Sequence, residues 1–166
     1  YPTVAIIDSQ STKTSKMGGV RGYDGGKHVK GRKRHLVVDS LGLPISVSIT
    51  AANVHDQRGG RHVLRRTFRF LHGHPLKKLY GDGGYDGEPF SKWVRRKFHA
   101  SIKIGGNLAQ KLKRFVPVSQ RWVVERSLAW IDDYRRLKID YERTIASSRA
   151  MFNWAVVRLL LRKLFR

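Results

Sequence analysis

Three carboxylates, Asp8, Asp82 and Glu125, stand out among only 12 acids in a chain of 166 residues, because each sits beside an apolar segment. Asp8 ends the run Val4-Ala5-Ile6-Ile7, Asp82 follows Leu76-Lys77-Lys78-Leu79-Tyr80-Gly81 and precedes Gly83-Gly84, and Glu125 lies in Arg121 to Ile131. Brought together, three such groups offer an all-oxygen site for hard divalent cations. Two ions held about 3.5–4 Å apart are what in-line phosphodiester cleavage requires, one activating the attacking oxygen and one steadying the leaving oxygen. Each acid also has a plainer role. Asp8 could end a strand, Asp82 could start a turn, and Glu125 could pair with Arg121 one helical turn away. Their joint position at the ends of the right elements favours the site.

Those elements follow from spacing. Val4 to Ile7 is short, rich in β-branched residues and apolar throughout, which predicts a strand covered on both faces, with Asp8 emerging at its end beside Ser9, Ser11 and Thr12. Arg32–Asp39 and Pro44–Thr50 read as two further strands of an antiparallel meander. Between them and the first strand, Met17 to Gly31 is glycine-rich and basic and reads as a loop, either a solvated connection or a segment that tracks a phosphate backbone. It lacks the Gly-Lys-Ser/Thr that would open a phosphate-binding helix. Asn53 to Asp56 forms a polar turn in which Asp56 could cap a helix from about Arg58 to Phe70.

The fourth strand then delivers Asp82. A helix from Gly87 to Phe98, a fifth strand from Ala100 to Ile104, a helix carrying Glu125 and ending near Leu137, and a last helix from Ser147 or Ser148 complete the chain. The last helix is expected to bury Met151, Trp154, Ala155, Leu161 and Phe165. At 100° per residue, Val124, Leu128 and Ile131 make one apolar stripe with Arg121 and Glu125 on its flank. Residues 1–166 are expected to form a single domain.

Lys and Arg number 34, giving a net charge of +22. Such an excess selects a polyanion, and nucleic acid is the first candidate. Lys27, Lys30, Arg32, Lys33, Arg34, Lys111, Lys113 and Arg114 are the cations expected to meet phosphate, in no recognisable groove-reading motif. There is no cysteine, so disulfides and thiolate metal sites are excluded. The apolar run Leu159-Leu160-Leu161 is broken at once by Arg162 and Lys163, far short of a membrane span. The chain begins with Tyr1 just ahead of a core strand, and an upstream segment is expected.

The order of elements is that of the ribonuclease-H-like fold, an α/β fold with a mixed five-stranded sheet flanked by helices, in which the first and fourth strands are neighbours. More specifically, Ile6-Ile7-Asp8-Ser9, Val37-Val38-Asp39 with Ala52-Asn53-Val54-His55-Asp56, Tyr80-Gly81-Asp82-Gly83-Gly84-Tyr85, and Arg121-Trp122-Val123-Val124-Glu125-Arg126 followed by Tyr134-Arg135-Arg136-Leu137 resemble the catalytic domain of bacterial insertion-sequence transposases of the DDE class, the fourth and fifth families above all. The resemblance spans nearly the whole chain. It implies Asp8, Asp82 and Glu125 as catalytic metal ligands for two Mg²⁺ or Mn²⁺ ions and Arg121 as the arginine of the tyrosine, arginine, glutamate, lysine signature; His55 and Asp56, read from their polar turn, are either a turn residue and a cap or supports that touch the site. Val118 and Asp132 stand where that signature has tyrosine and lysine, and Arg136 is the cation expected to compensate. The resemblance further implies strand cleavage and transfer at insertion-sequence ends, double-stranded DNA of the ends and target as partner, a homodimer in the DNA complex, no membrane, and a cytoplasmic, nucleoid-associated setting. A ribonuclease-H-like nuclease or resolvase that cuts without joining, and a catalytically inactive DNA-binding remnant, remain the alternatives.

Overall fold

Val4 to Ile7 is apolar at every position because side chains alternate across a strand and this strand is covered on both sides. Ala5 and Ile7 enter one core with Val37, Val63, Leu64, Leu79, Phe90 and Val94, while Ile6 enters a second with Leu36, Val38, Ile49, Val124, Ile131 and Phe152. The computed structural model describes residues 1–16, 19–105 and 121–165, Arg121 by its backbone alone. In chain order the elements are β1 (Val4–Lys13), β2 (Gly22–Asp24), β3 (Val29–Asp39), β4 (Pro44–Ala51), α1 (Asp56–Phe70), β5 (Lys78–Gly81), α2 (Glu88–Phe98), β6 (Ser101–Ile104), α3 (Arg121–Asp132) and α4 (Ile145–Leu164). Helices α1 and α2 cover one face of the sheet, α3 and α4 the other.

The sheet runs β2-β3-β1-β5-β6, with β4 paired to β3 beyond the stretch that β2 occupies. β1 is antiparallel to β3 and parallel to β5, and β5 is parallel to β6. This mixed, curled sheet with helices on both faces is the ribonuclease-H-like arrangement, and the neighbouring of β1 and β5 is as the resemblance implies. Four expectations change. A sixth strand, β2, forms inside the stretch that reads as a loop, and pairs Gly22–Asp24 with Val29–Gly31. β1 continues to Lys13 because its polar half is paired with β3, so Asp8 lies within the strand and not at its end. In α4 the buried residues are Ser148, Phe152, Ala155 and Leu159, whereas Trp154, Leu161 and Phe165 are exposed. The helix begins two residues earlier than its spacing suggests, at Ile145, because Thr144 and Ser147 form a reciprocal cap.

α1 lies close against β3, and glycine makes that approach available: a β-carbon on Gly59 would fall 2.0 Å from the His35 ring. His35 is fully buried, with Nε2 3.0 Å from the Thr50 hydroxyl and Nδ1 without a partner among the described residues. Burial pushes its pKa down to about 4; the Asp56 carboxylate opposes this, and Lys33, His62 and Lys27 add to it. The folded state therefore binds fewer protons than the unfolded chain between the ordinary histidine pKa of about 6.5 and about 4. The stability this contributes is fully present above about pH 6.5 and is lost as pH falls through that window. Urea denaturation should show wild type losing about 2 kcal/mol more than His35→Gln between about pH 7.5 and about pH 5. Parallel pH profiles for the two proteins would contradict it.

Candidate active site

Ile6 pairs with Tyr80 in the last rung between β1 and β5. Asp8 and Asp82 each come two residues later, so the register sets the two acids level on strands whose backbones run about 4.8 Å apart while paired. Asp8 is 8% exposed and its Oδ1 accepts the Ser9 backbone N–H at 2.7 Å. Asp82 leaves β5 as the cap of a 3-10 turn, Gly83–Tyr85, its Oδ1 accepting the Gly84 N–H at 3.1 Å.

A further carboxylate, Asp56, lies beside Asp82 across Gly84. The cap of α1 is His55, whose Nδ1 accepts the Gln57 N–H, so Asp56 is not the cap that its sequence position suggests. Its carboxylate turns inward instead. Oδ1 accepts the Ser9 hydroxyl at 2.7 Å and lies 3.1 Å from Lys33 Nζ. A β-carbon on Gly84 would fall 2.8 Å from Asp56 Oδ2 and 3.2 Å from Asp82 Oδ1, so the two acids flank a gap that only glycine leaves open. Behind them the Tyr85 hydroxyl is buried and, among the described residues, has no hydrogen-bond partner. Burial pushes its pKa well up, and Asp56, Asp8 and Asp82 push it further, while Ser9, committed to Asp56, works weakly the other way. An orphaned phenol in the field of three carboxylates marks a concentration of negative charge that a bound cation would relieve.

Glu125 is reached from the other side. Val124, Leu128 and Ile131 are buried as the stripe predicts, and α3 packs on β1 and β3. The Ser127 hydroxyl donates to the Gly42 carbonyl at 2.6 Å and Arg126 to the Leu41 carbonyl at 2.7 Å, fixing the helix to the β3–β4 turn. Asp8 shares the sheet face of Ile6, which α3 covers, and Glu125 is exposed beside Val124. Among the described residues no three of His, Cys, Asp or Glu converge closely enough to hold a metal, so a complete three-acid shell calls for side-chain movement from this conformation. The donors themselves fit a hard cation: Asp8, Asp82 and Glu125 supply carboxylate oxygens alone.

The expected DNA contacts divide. Lys27 and Lys30 are exposed, and Lys27 Nζ also donates to the Ser9 carbonyl at 2.9 Å, directly behind Asp8. Arg32, Lys33 and Arg34, read as surface cations, are at most 6% exposed and lie out of reach of a polyanion outside the fold. They alternate along β3 and pair with acids: Arg32 with Asp140 at 3.1 Å, Lys33 with Asp56 and Asp24 at 3.1 and 3.4 Å, Arg34 with Asp132 at 3.6 Å. Asp132, which stands at the signature's lysine position, also accepts from the Gln10 amide. Arg136 is exposed and pairs with Glu142 at 3.1 Å; it is not on the Glu125 helix, which ends at Asp132. Lys111, Lys113 and Arg114 fall outside the described residues, as does the side chain of Arg121. Tyr85 and Ser9 carry no chemical signal by residue type, and only the fold places them among the acids.

The family model described as transposase DDE domain matches residues 2–160. A protein from Burkholderia cepacia assigned as the transposase for insertion sequence element IS402 is 34% identical over 120 residues, 68% of this chain. The chain spans about half the length of that curated relative, 54% of it being matched. With acids level on β1 and β5, a third helix-borne acid on the covering face, and a family match over almost every residue, the chain belongs to the transposase DDE domain family.

Proposed function

We propose that this domain cuts DNA strands at insertion-sequence ends and joins them to target DNA, with Asp8, Asp82 and Glu125 holding two Mg²⁺ or Mn²⁺ ions. The observation that carries this is the pair Asp8 and Asp82, level in register at the end of the β1–β5 ladder and facing a common pool of negative charge. The ions, when bound, would supply an activated attacking oxygen and a stabilised leaving oxygen. The chain's own residues do the holding and orienting. The Ser9 and Gly84 N–H groups each fix one oxygen of an acid, which sets the plane of that carboxylate before a ligand arrives. Lys33 and Ser9 hold Asp56 against the same gap, so Asp56 would support the ligands from behind, while His55 caps the helix that carries it. Arg121 begins the helix that carries Glu125, one turn from it, where a guanidinium can grip a phosphate oxygen in two-pronged fashion. The partner is duplex DNA of the ends and target, bound by a homodimer.

Incubating the full-length protein with duplexes that carry its element's ends, with Mg²⁺ and with chelator, tests the proposal. Metal-dependent nicking at the end together with joined products is expected. Nicking without joining would assign a nuclease or resolvase, and binding without nicking would assign an inactive DNA-binding remnant.

A further inference from the structure

A groove of about 350 Å³ opens where the C-terminal end of α3 meets the last turns of α4, lined by Trp130, Asp133, Tyr134, Arg135, Arg158, Leu159, Arg162 and Lys163. Four of these side chains are cationic and one is acidic. Arg135, Arg158, Arg162 and Lys163 are all exposed, and among the described residues no carboxylate pairs with any of them. Two instead sit over aromatic rings, Lys163 Nζ 4.1 Å from the Trp130 ring centre and the Arg158 guanidinium 5.4 Å from that of Tyr134. The rings hold the cations in place without neutralising them. Arg162 and Lys163 could be explained as partners of the α4 C-terminus. That explanation does not extend to Arg135, which lies on the 3-10 turn after α3, nor to Arg158, a turn further back.

We infer that this groove is a second phosphate-binding site, one that grips the backbone of duplex DNA away from the carboxylates. Trp130 lies five residues beyond Glu125 on α3, about 7.5 Å along the axis and about 140° around it, so the groove faces away from the acid while riding on the same helix. A base stacked on Trp130 would have to displace the cations already there, Lys163 and Arg126, the latter 4.7 Å from the ring centre. What the groove offers is fixed positive charge, which recognises phosphate without reading sequence. The inference rests on DNA being the substrate, as proposed above, but not on the three acids.

The test measures duplex affinity of the full-length protein without divalent metal, so that it stands or falls apart from catalysis. The variant Arg158→Gln/Arg162→Gln/Lys163→Gln is compared with Arg95→Gln/Arg96→Gln/Lys97→Gln, which removes the same charge from exposed positions in the last turn of α2. The groove variant is expected to bind end and scrambled duplexes at least about tenfold more weakly and to lower the salt slope by about one for each phosphate it no longer neutralises. The α2 variant should change far less. Arg135→Gln/Arg162→Gln, which leaves both ring contacts intact, should reproduce part of the loss and guards against local unfolding. Equal losses in the groove and α2 variants would reduce the effect to net charge and overturn the site. Displacement of DNA by inorganic phosphate beyond what chloride of matched ionic strength achieves would make the ligand free phosphate, and would overturn it also.

Discussion

Asp8→Asn and Asp82→Asn, each made in the full-length protein, are expected to lower single-turnover strand cleavage by at least about a thousandfold, because a metal-borne transition state loses several kcal/mol of charge stabilisation. Both changes keep shape and remove charge. An asparagine at either position can still accept the N–H that the aspartate accepts, from Ser9 at 2.7 Å or Gly84 at 3.1 Å, so the local turn survives. Stability should move the other way. Asp8, Asp56 and Asp82 all act on the buried Tyr85 phenol, and each substitution lessens the negative field there. The expected signature is an inactive protein whose melting temperature is unchanged or raised by a few degrees. A variant that is inactive because it has unfolded would not support the assignment.

The second large effect concerns stability alone. Arg32 is completely buried, and its guanidinium lies 3.1 Å from Asp140 Oδ1 while donating to the carbonyls of Glu142, Arg143 and Val20 at 2.8, 3.1 and 3.0 Å. Asp140 in turn accepts from the Ser148 hydroxyl and the Glu142 N–H. This one pair ties β3 to the segment leading into α4. Removing one partner strands the other charge in the interior, which costs about 3–5 kcal/mol. Arg32→Met should therefore lower the melting temperature by roughly 10 °C, and Arg32→Met/Asp140→Asn should recover part of it. DNA affinity of the folded Arg32→Met protein should be near that of wild type after allowance for one charge. A large loss of affinity at unchanged stability would return Arg32 to the DNA surface, where its sequence context alone suggests it belongs.

Arg32, Lys33 and Arg34 show where sequence reading stops. In Arg32-Lys33-Arg34-His35 the types are those of a phosphate-binding patch, and nothing local reveals that the acids which neutralise them arrive from residues 24, 56, 132 and 140. Non-local pairing of charges is invisible to periodicity. Apolar patterning, by contrast, is local, which is why the Val124, Leu128 and Ile131 stripe and the double-faced burial of β1 are legible. The same limit explains β1: its polar half looks like the start of a loop, and only pairing with β3 makes it strand. In α4 the apolar residues outnumber the positions that face the core, so Trp154, Leu161 and Phe165 cannot be told from Phe152 and Leu159 without knowing which side the sheet is on. At the candidate site, Asp8 stands out because it ends an apolar run, and Asp82 because it follows a short strand pattern and precedes two glycines. The inward turn of Asp56 depends on which residue caps α1, and His55 takes that place.

Metal ligation by Asp8 and Asp82 is measured without reference to cleavage by a Mn²⁺ binding isotherm of the full-length protein on its end DNA, for wild type, Asp8→Asn and Asp82→Asn. If these acids hold the ions, each substitution should remove at least one tight binding equivalent while DNA affinity, measured without metal, stays the same. Superimposable isotherms for all three proteins would contradict the assignment of Asp8 and Asp82 as metal ligands, whatever the substitutions did to cleavage.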